Sequence, residues 1–597
     1  MDLLQTSHNY VTRMAGTTDS VQGKQLARAG SKLKVLLLDK ETTAIISMCA
    51  TQSTLLKHDI YLIDRIDNVN REKMRHLKCL CFVRPTAESI QMLVDELRDP
   101  KYSSYELFFS NVVKKSHLER LAESDDNEIV HKVQEMFADY LVVNRDLYTF
   151  NLMYPMNRVL GSAPGQWNAE SLQRTTEGLT ALLLSLKYKP IIRYDRNSSM
   201  AKKLANEVSY TIKQEPQLFD FRTKDTPPVL LICDRCNDAI TPLLLPWTYQ
   251  AMVHQHLGIS NNRVDLSSAP EVSKELREIV LSGDQDPFFA KTMFLNFGDL
   301  GASIKDYVSQ YQAKTKSNNA IETIADMKRF VEDYPEFRRL SGNVSKHVTL
   351  VGELSRLVSQ HNLLEVSELE QSLACNDSHT SDLKNLQTTL VSSTVDVESK
   401  VRLVSLYALR YQHHSNCATD ALLGLLVNQH PTAAAMADSV RTLVFSYAGS
   451  GQRQQNLFGN ESFFARAQSG LKGLKGVENV YTQHTPLLQE NLTNLIKGKL
   501  KKLTHPYFDD GTLPHWTSGE DSERPQDIVV FIVGGATYEE AKLVAELNAS
   551  TKGVRIVLGG TTIHNSKSFL EDMNDASLRW PRGAPTTATG RLRERLA

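Results

Sequence analysis

The chain has 597 residues, 41% hydrophobic and 23% charged, with a net charge of −1. A chain this long exceeds one hydrophobic core, so roughly two to four domains are expected. The near-neutral charge argues against a whole-molecule electrostatic grip on nucleic acid or anionic lipid. The strongest apolar run, Ile528–Val533, falls far short of the roughly 20 residues of a spanning helix.

The N-terminus MDLLQTSHNYVTRMAG has an early acid and no sustained apolar stretch, so it does not read as a secretory signal. The 7 cysteines are sparse and mostly set in apolar strands, which points to a reduced compartment.

The first 150 or so residues alternate strand and helix patterns. Strand runs are Val35–Leu38, Tyr61–Ile63, Cys79–Val83, Tyr105–Phe109 and Leu141–Val143, with a helix over Ala87 to Leu97. Such alternation predicts a mostly parallel sheet covered on both faces. A second α/β unit begins near Asp146 and includes Ile191–Tyr194.

That unit contains PVLLICDRCNDAITPLLLPWTYQAMVHQHLG, Pro228 to Gly258. A buried-strand run breaks at the charged turn Asp234–Asp238, and Thr241-Pro242 marks the entry of a helix. Asp234, Arg235 and Asp238 are read as a structural pairing and cap rather than an acid–base pair.

From about 270 to 490 helical periodicity dominates. Ala320 to Tyr334 is amphipathic, and beyond Pro335 an apolar stripe continues through Phe337, Leu340, Val344, Val348, Val351 and Leu354. An interior proline costs about 3 kcal/mol, so Pro335 either ends one helix or kinks a long one as a hinge.

Two strand runs, Ile528–Val533 and Val554–Leu558, then lead into Gly534-Gly535 and Gly559-Gly560. Their return after a helical block predicts a discontinuous second domain. Ala576 to Ala597 is rich in Arg, Thr, Pro and Gly and reads as a disordered tail.

Catalytic signatures are missing from the sequence. It carries no phosphate-loop motif, no G-x-G-x-x-G after a strand and no G-x-S-x-G elbow. The glycine pairs suit close strand-to-helix packing. Cys233-x-x-Cys236 has no second pair to complete a zinc site, and His413, His414 and Cys417 form a looser cluster; no metal and no cofactor are expected. The run Lys497, Lys499, Lys501, Lys502 reads as a solvated face at a helix end. A large α/β chain without a catalytic constellation points to a scaffold that binds other polypeptides.

Long ordered segments carry a resemblance. They include KVLLLDKETTAIISMCATQSTLLKHDIYLIDRID, FFSNVVKKSHLERLAESDDNEIVHKVQEMF, LLICDRCNDAITPLLLPWTYQAMVHQHLGI and YPEFRRLSGNVSKHVTLVGELSRLV. LKGLKGVENVYTQHTPLL, QDIVVFIVGGATYEEAKLVAELN and VRIVLGGTTIHNSKSFLEDM follow. The chain resembles the SM (Sec/Munc) family of vesicle-fusion regulators, in its endosomal and late-Golgi branch.

The resemblance implies an α/β fold: a three-domain arch of two parallel-sheet domains, with a largely helical third domain inserted into the second. The implied boundaries are 1–143 for domain 1, 144–255 with 486–575 for domain 2, 256–485 for domain 3 with a hairpin at about 320–360, and a tail at 576–597.

The implied function is non-enzymatic: binding the late-Golgi/endosomal syntaxin-type SNARE and its cognate SNAREs, and templating their assembly in Golgi–endosome–vacuole transport. A cytoplasmic monomer is expected, peripheral on Golgi, trans-Golgi network and endosomal membranes through its SNAREs, with no nucleic-acid partner. The alternatives are a nucleotide-binding α/β enzyme using the glycine pairs and a passive membrane tether using the basic tail.

By position, the resemblance places a syntaxin N-peptide pocket at Leu118, Val130, Val133 and Glu135, and a SNARE cleft at Asp64 and Arg65. Ile129, Val130 and Val133 are read as an apolar stripe on a helix. Leu118 replaces the aromatic of the plasma-membrane branch, implying a differently shaped anchor. Pro335 is the implied hairpin hinge, with Phe337, Leu340, Val344 and Val348 on the template track.

Overall fold

The computed structural model describes residues 2–16, 33–222, 224–270, 272–319, 324–375, 378–448, 483–509, 511 and 524–581, with side chains 316–336 also outside the description. Five strands open the chain: β1 (Lys34–Leu38), β2 (Ile60–Arg65), β3 (Met74–Val83), β4 (Tyr102–Phe109) and β5 (Val130–Glu135). They form one sheet in the order β2-β1-β3-β4-β5, with every pair parallel.

The unbroken apolar run of β1 follows from burial on both faces. Val35 and Leu37 pack toward the helix Ala87–Arg98; Leu36 and Leu38 pack toward the helix Lys40–Cys49. Asp39 ends the strand and starts that second helix in a capping box with Thr42. Its other carboxylate oxygen accepts from Arg84 N and Ser89 Oγ at 2.7 and 2.8 Å, tying the β1 and β3 ends together.

The second sheet is assembled from distant parts of the chain. Its early strands are β6 (Leu141–Asn144), β7 (Leu147–Thr149), β8 (Ile191–Tyr194) and β9 (Val229–Asp234). A short antiparallel ribbon, β10 (Arg263–Asp265) with β11 (Glu278–Val280), follows. Then come the helices and finally β12 (Asp527–Val533) and β13 (Arg555–Gly560). The sheet order β6-β7-β13-β12-β9-β8 puts the two last strands at its centre.

Four sequence expectations are corrected. Leu141–Val143 pairs antiparallel with β7 in the second sheet; the fifth strand of the first sheet is β5, so the first unit ends before Leu141. Thr241-Pro242 opens only the single 3-10 turn Thr241–Leu243, and the α-helix starts at Tyr249 beyond the Pro246 break. The last helix, Ser566–Arg579, extends into the expected tail, with Ala576 and Trp580 buried; residues 582–597 lie outside the described residues. Pro335 does not end a helix: Ile324–Gln360 is one 37-residue element running through it.

That element is about 56 Å long at 1.5 Å per residue. Its antiparallel partner is Phe297–Asn319, so the hairpin starts well before residue 320.

Both sheets end on satisfied buried charge. After β9, Arg235 is 1% exposed. It donates to Gly535 O (3.0 Å), Asp238 O (3.1 Å) and Glu540 Oε2 (2.5 Å). Removing one partner from a buried charge set leaves the others desolvated and unpaired, at a cost of about 3–5 kcal/mol. Arg235→Met is therefore expected to lower Tm by several degrees, and adding Glu540→Met is expected to recover part of the loss. Differential scanning fluorimetry of the two variants checks this; additive losses would refute the coupling.

Candidate functional site

The residues selected from sequence separate into the two edges of the first sheet and the hairpin. Three of the four pocket residues lie on β5, an edge strand. The expectation of a helix for Ile129, Val130 and Val133 is corrected: they enter and form a strand. Their three-residue spacing comes from a register irregularity against β4 between Tyr105 and Glu106. Val130 pairs with Tyr105, Val133 with Leu107 and Glu135 with Phe109. The irregularity turns all three toward the face on which Tyr105, Leu107 and Phe109 pack. Asp125 fixes the strand start by accepting from Ile129 N and Val130 N, both at 3.0 Å.

Leu118 sits on the crossover helix Lys115–Ala122, whose Leu121 is buried in the same cluster. Leu118 is 38% exposed and Val133 49% exposed, so neither is a core residue. Val130 is half-buried against the cluster. Glu135 is half-buried and accepts from Val113 N at 2.8 Å. The result is a shallow apolar shelf with a positioned carboxylate at its rim.

Asp64 and Arg65 end β2, the opposite edge strand. Asp64 accepts from Asn68 Nδ2 at 3.0 Å, and Arg65 Nε donates to Asp67 at 2.8 Å. That hydrogen bond holds the Asp67 carboxyl below its usual range. Sequence reasoning treated Tyr61–Ile63 only as strand. The structure exposes Tyr61 by 60% and Ile63 by 41%, on alternate residues with Arg65, and Leu56 and Val69 are exposed nearby in sequence. Period-two alternation within an edge strand was the available signal. Four strand spacings of about 4.8 Å put the two edges about 19 Å apart.

On the hairpin, Phe337 stacks on Tyr311 with centroids 5.6 Å apart. Leu340 is half-buried, Val344 is 6% exposed and Leu354 is fully buried; Val348 alone of the expected track residues is exposed, at 44%. The track is therefore corrected: most of its apolar stripe is used to pack the hairpin and its base, and Val348 points outward. His347, also buried, anchors the base by meeting Asp286 at 2.8 Å and Tyr249 Oη at 2.7 Å.

An open cleft of about 1430 Å3 lies where the first sheet's domain meets the second and the β10–β11 ribbon; Glu41, Arg84, Arg174, Glu177, Arg263 and Glu278 are among its lining residues. None of the sequence-selected residues lines it. Its wall is an interdomain charge network. Asp139, fully buried, accepts from Arg84 Nε (3.1 Å), Arg174 Nη1 (3.2 Å) and Asn111 Nδ2 (2.9 Å). Arg84 also pairs with Glu177 and lies 3.2 Å from Glu41.

The glycine pairs are occupied by packing. A Cβ on Gly535 would lie 2.4 Å from His564, one on Gly559 2.1 Å from Tyr148, and one on Gly560 2.6 Å from Ala536 N. Cys233 and Cys236 pack in different core clusters.

A parallel sheet and a mostly parallel one, the second closed by late strands around a helical insert with a long hairpin, define a fold shared with solved Sec1-type proteins. The structure of Sly1p with an N-terminal peptide of Sed5p aligns with TM-score 0.72 at 18% identity, covering 97% of this chain and 99% of that one. The family model described as Sec1 family matches residues 34–572, and the chain belongs to that family.

Vacuolar protein sorting-associated protein 45 of Rattus norvegicus is 51% identical over 577 residues, 96% of this chain and 98% of the relative. That of Schizosaccharomyces pombe is 50% identical, covering 97% of this chain and 100% of the relative. A solved structure described as "SM Protein Vps45 in Complex with Qa SNARE Tlg2" is 54% identical with TM-score 0.89, covering 98% of this chain and 100% of that one.

Burial pushes the Asp139 carboxyl up, but the Arg174 and Arg84 guanidiniums, helped by Asn111, outweigh it and hold the group below the usual carboxylate range. A depressed folded pKa contributes stability above the unfolded value of about 3.9, lost as pH falls through the folded value. Asp139→Asn is therefore expected to cost about 3 kcal/mol near neutral pH. The Tm gap to wild type should narrow below about pH 4; a gap constant across a pH series of thermal melts would refute the assignment.

Proposed function

We propose that the chain is a SNARE-binding regulator of vesicle docking and fusion, acting as a monomer on the late-Golgi/endosomal syntaxin-type SNARE and templating its assembly with cognate SNAREs. The observation that carries this reading is the full-length likeness to a protein solved in complex with a Qa SNARE. Two sheet edges left unpaired among the described residues and a long hairpin on the chain itself support it. The site of action under this reading is the Golgi, trans-Golgi network and endosomal membranes, reached through the bound SNAREs.

The β5 edge takes a short N-terminal syntaxin peptide. Its apolar anchor rests on Leu118, Val130 and Val133, and its basic residue meets Glu135. The β2 edge, with Tyr61, Ile63, Asp64 and Arg65, takes folded SNARE helices. Because the edges lie on opposite sides of one sheet, one partner engages both only through separate segments joined by a linker, which gives avidity without new contacts.

Substitutions at the two edges are expected to separate these activities. Val133→Arg should weaken binding of a syntaxin N-terminal peptide by at least about tenfold, roughly 1.4 kcal/mol, with Tm little changed because Val133 is half exposed. Ile63→Arg should leave that peptide's affinity unchanged and weaken a syntaxin lacking it. Isothermal titration with the two ligands checks both; equal effects of either variant on both ligands would refute the division.

For the hairpin, Pro335 lacks the N–H that would complete the helical ladder at its position. Pro335→Ala should stabilise the extended helix, raise hydrogen-exchange protection across 330–345 and strengthen SNARE binding. Identical protection in both proteins would count against a hinge.

A further inference from the structure

The second sheet buries an aspartate, a cysteine and a histidine from three separate segments at one point. Cys233 lies near the end of β9, Asp195 just past β8, and His505 on the strip that closes over the β8 edge; they are 7%, 6% and 6% exposed. One ligand atom from each lies within 4.8 Å of both others. Among the described residues this is the only such grouping.

The three positions are fixed by the backbone around them. Arg193 on β8 donates through Nε to His505 O at 2.9 Å and through Nη2 to Leu500 O at 2.8 Å. Phe508 N donates to Ile192 O at 2.8 Å. One carboxylate oxygen of Asp195, Oδ2, accepts from Asp234 N and Asn237 Nδ2, both at 2.8 Å. That leaves Oδ1 to face the ring.

His505 Nε2 is 2.7 Å from Oδ1, yet the contact is not aligned as a hydrogen bond, and the buried nitrogen has no hydrogen-bond partner. A buried imidazole nitrogen without a hydrogen bond, 2.7 Å from a carboxylate oxygen and in a group that includes a thiol within 4.8 Å, needs an account.

We propose that Asp195, Cys233 and His505 hold a zinc ion that clips the strip around His505 onto the β8 edge. Thiolate, imidazole and carboxylate suit zinc, whereas calcium and magnesium demand oxygen donors. One thiolate and one carboxylate balance the divalent charge, so the bound site is electrically neutral. Water completes the fourth position.

Zinc separates tetrahedral nitrogen and oxygen ligands by about 3.3 Å, so the ring and carboxylate open by about 0.6 Å on binding. Burial pushes the Cys233 thiol well above its usual range. Binding therefore forms the zinc–sulfur bond and releases the thiol proton to solvent.

The test uses the full-length chain, stripped with a chelator, dialysed and titrated with zinc chloride against a chromophoric competitor. One tight zinc per chain is expected, with proton release and a Tm rise of a few degrees. Cobalt(II) in place of zinc should give a thiolate charge-transfer band in the near ultraviolet.

Cys233→Ala should abolish the band, and His505→Phe should weaken zinc binding by roughly 100-fold. Circular dichroism checks that each variant folds, and His505→Phe serves alone should Cys233→Ala not fold. A stripped wild type that binds zinc no more tightly than His505→Phe would overturn the proposal, as would a cobalt band that survives Cys233→Ala. Either result would leave His505 and Asp195 as an ion pair only.

Discussion

The molecule is organised around one buried guanidinium. Arg235 lies where β9 ends, and its three donors reach the turn after β12, the carbonyl of Asp238 and the helix that begins at Tyr538. The turn and the helix lie 300 and 305 residues from Arg235 in sequence, and the charge holds them against it. Gly534 stands beside it at φ +84°, where an added Cβ would lie 3.0 Å from Arg235 Cβ and 2.9 Å from Tyr447 Oη. The Asp-Arg-x-x-Asp run and the glycine pair are thus two halves of one device.

The device extends into the helical insert. Asp238 accepts from Thr241 and from Leu487 N, the first residue of the helix on which the chain leaves the insert. Leu245 N donates to Glu370, itself buried and bound to Arg402. Trp247 Nε1 donates to Ser367 at 2.7 Å. Charged groups at the end of a strand, where many α/β proteins keep their chemistry, are here bonded to one another. The insert is therefore tied to the second sheet at its root.

What was legible in the sequence follows from burial. Strands covered on both faces, such as Val35–Leu38 and Val229–Asp234, are continuous apolar runs and read directly. β5 did not: its Val-His-Lys-Val-Gln-Glu has no buried position, and an irregular register gives it a spacing that mimics a helix. Leu141–Val143 read correctly as a strand but carries no mark of the sheet it joins; only pairing with Leu147–Thr149 decides that. Arg235 was legible as structural, though its partners beyond Asp238 were not. Asp139 gave no signal, because its two arginines come from distant segments. The candidate binding residues were reached through resemblance; their exposure, and that of Tyr61 and Ile63, required the fold.

The proline shows how local energetics and tertiary packing divide the hairpin. Propensity alone favours a break at Pro335, and the chain instead continues one helix through it. Below that point Phe337 stacks on Tyr311, Val344 and Leu354 are buried, and His347 is fixed between Asp286 and Tyr249. These contacts over-determine the lower helix, so the missing hydrogen bond weakens the ladder where bending would least disturb the base. A hinge there would leave the root set by Arg235 and Glu370 untouched.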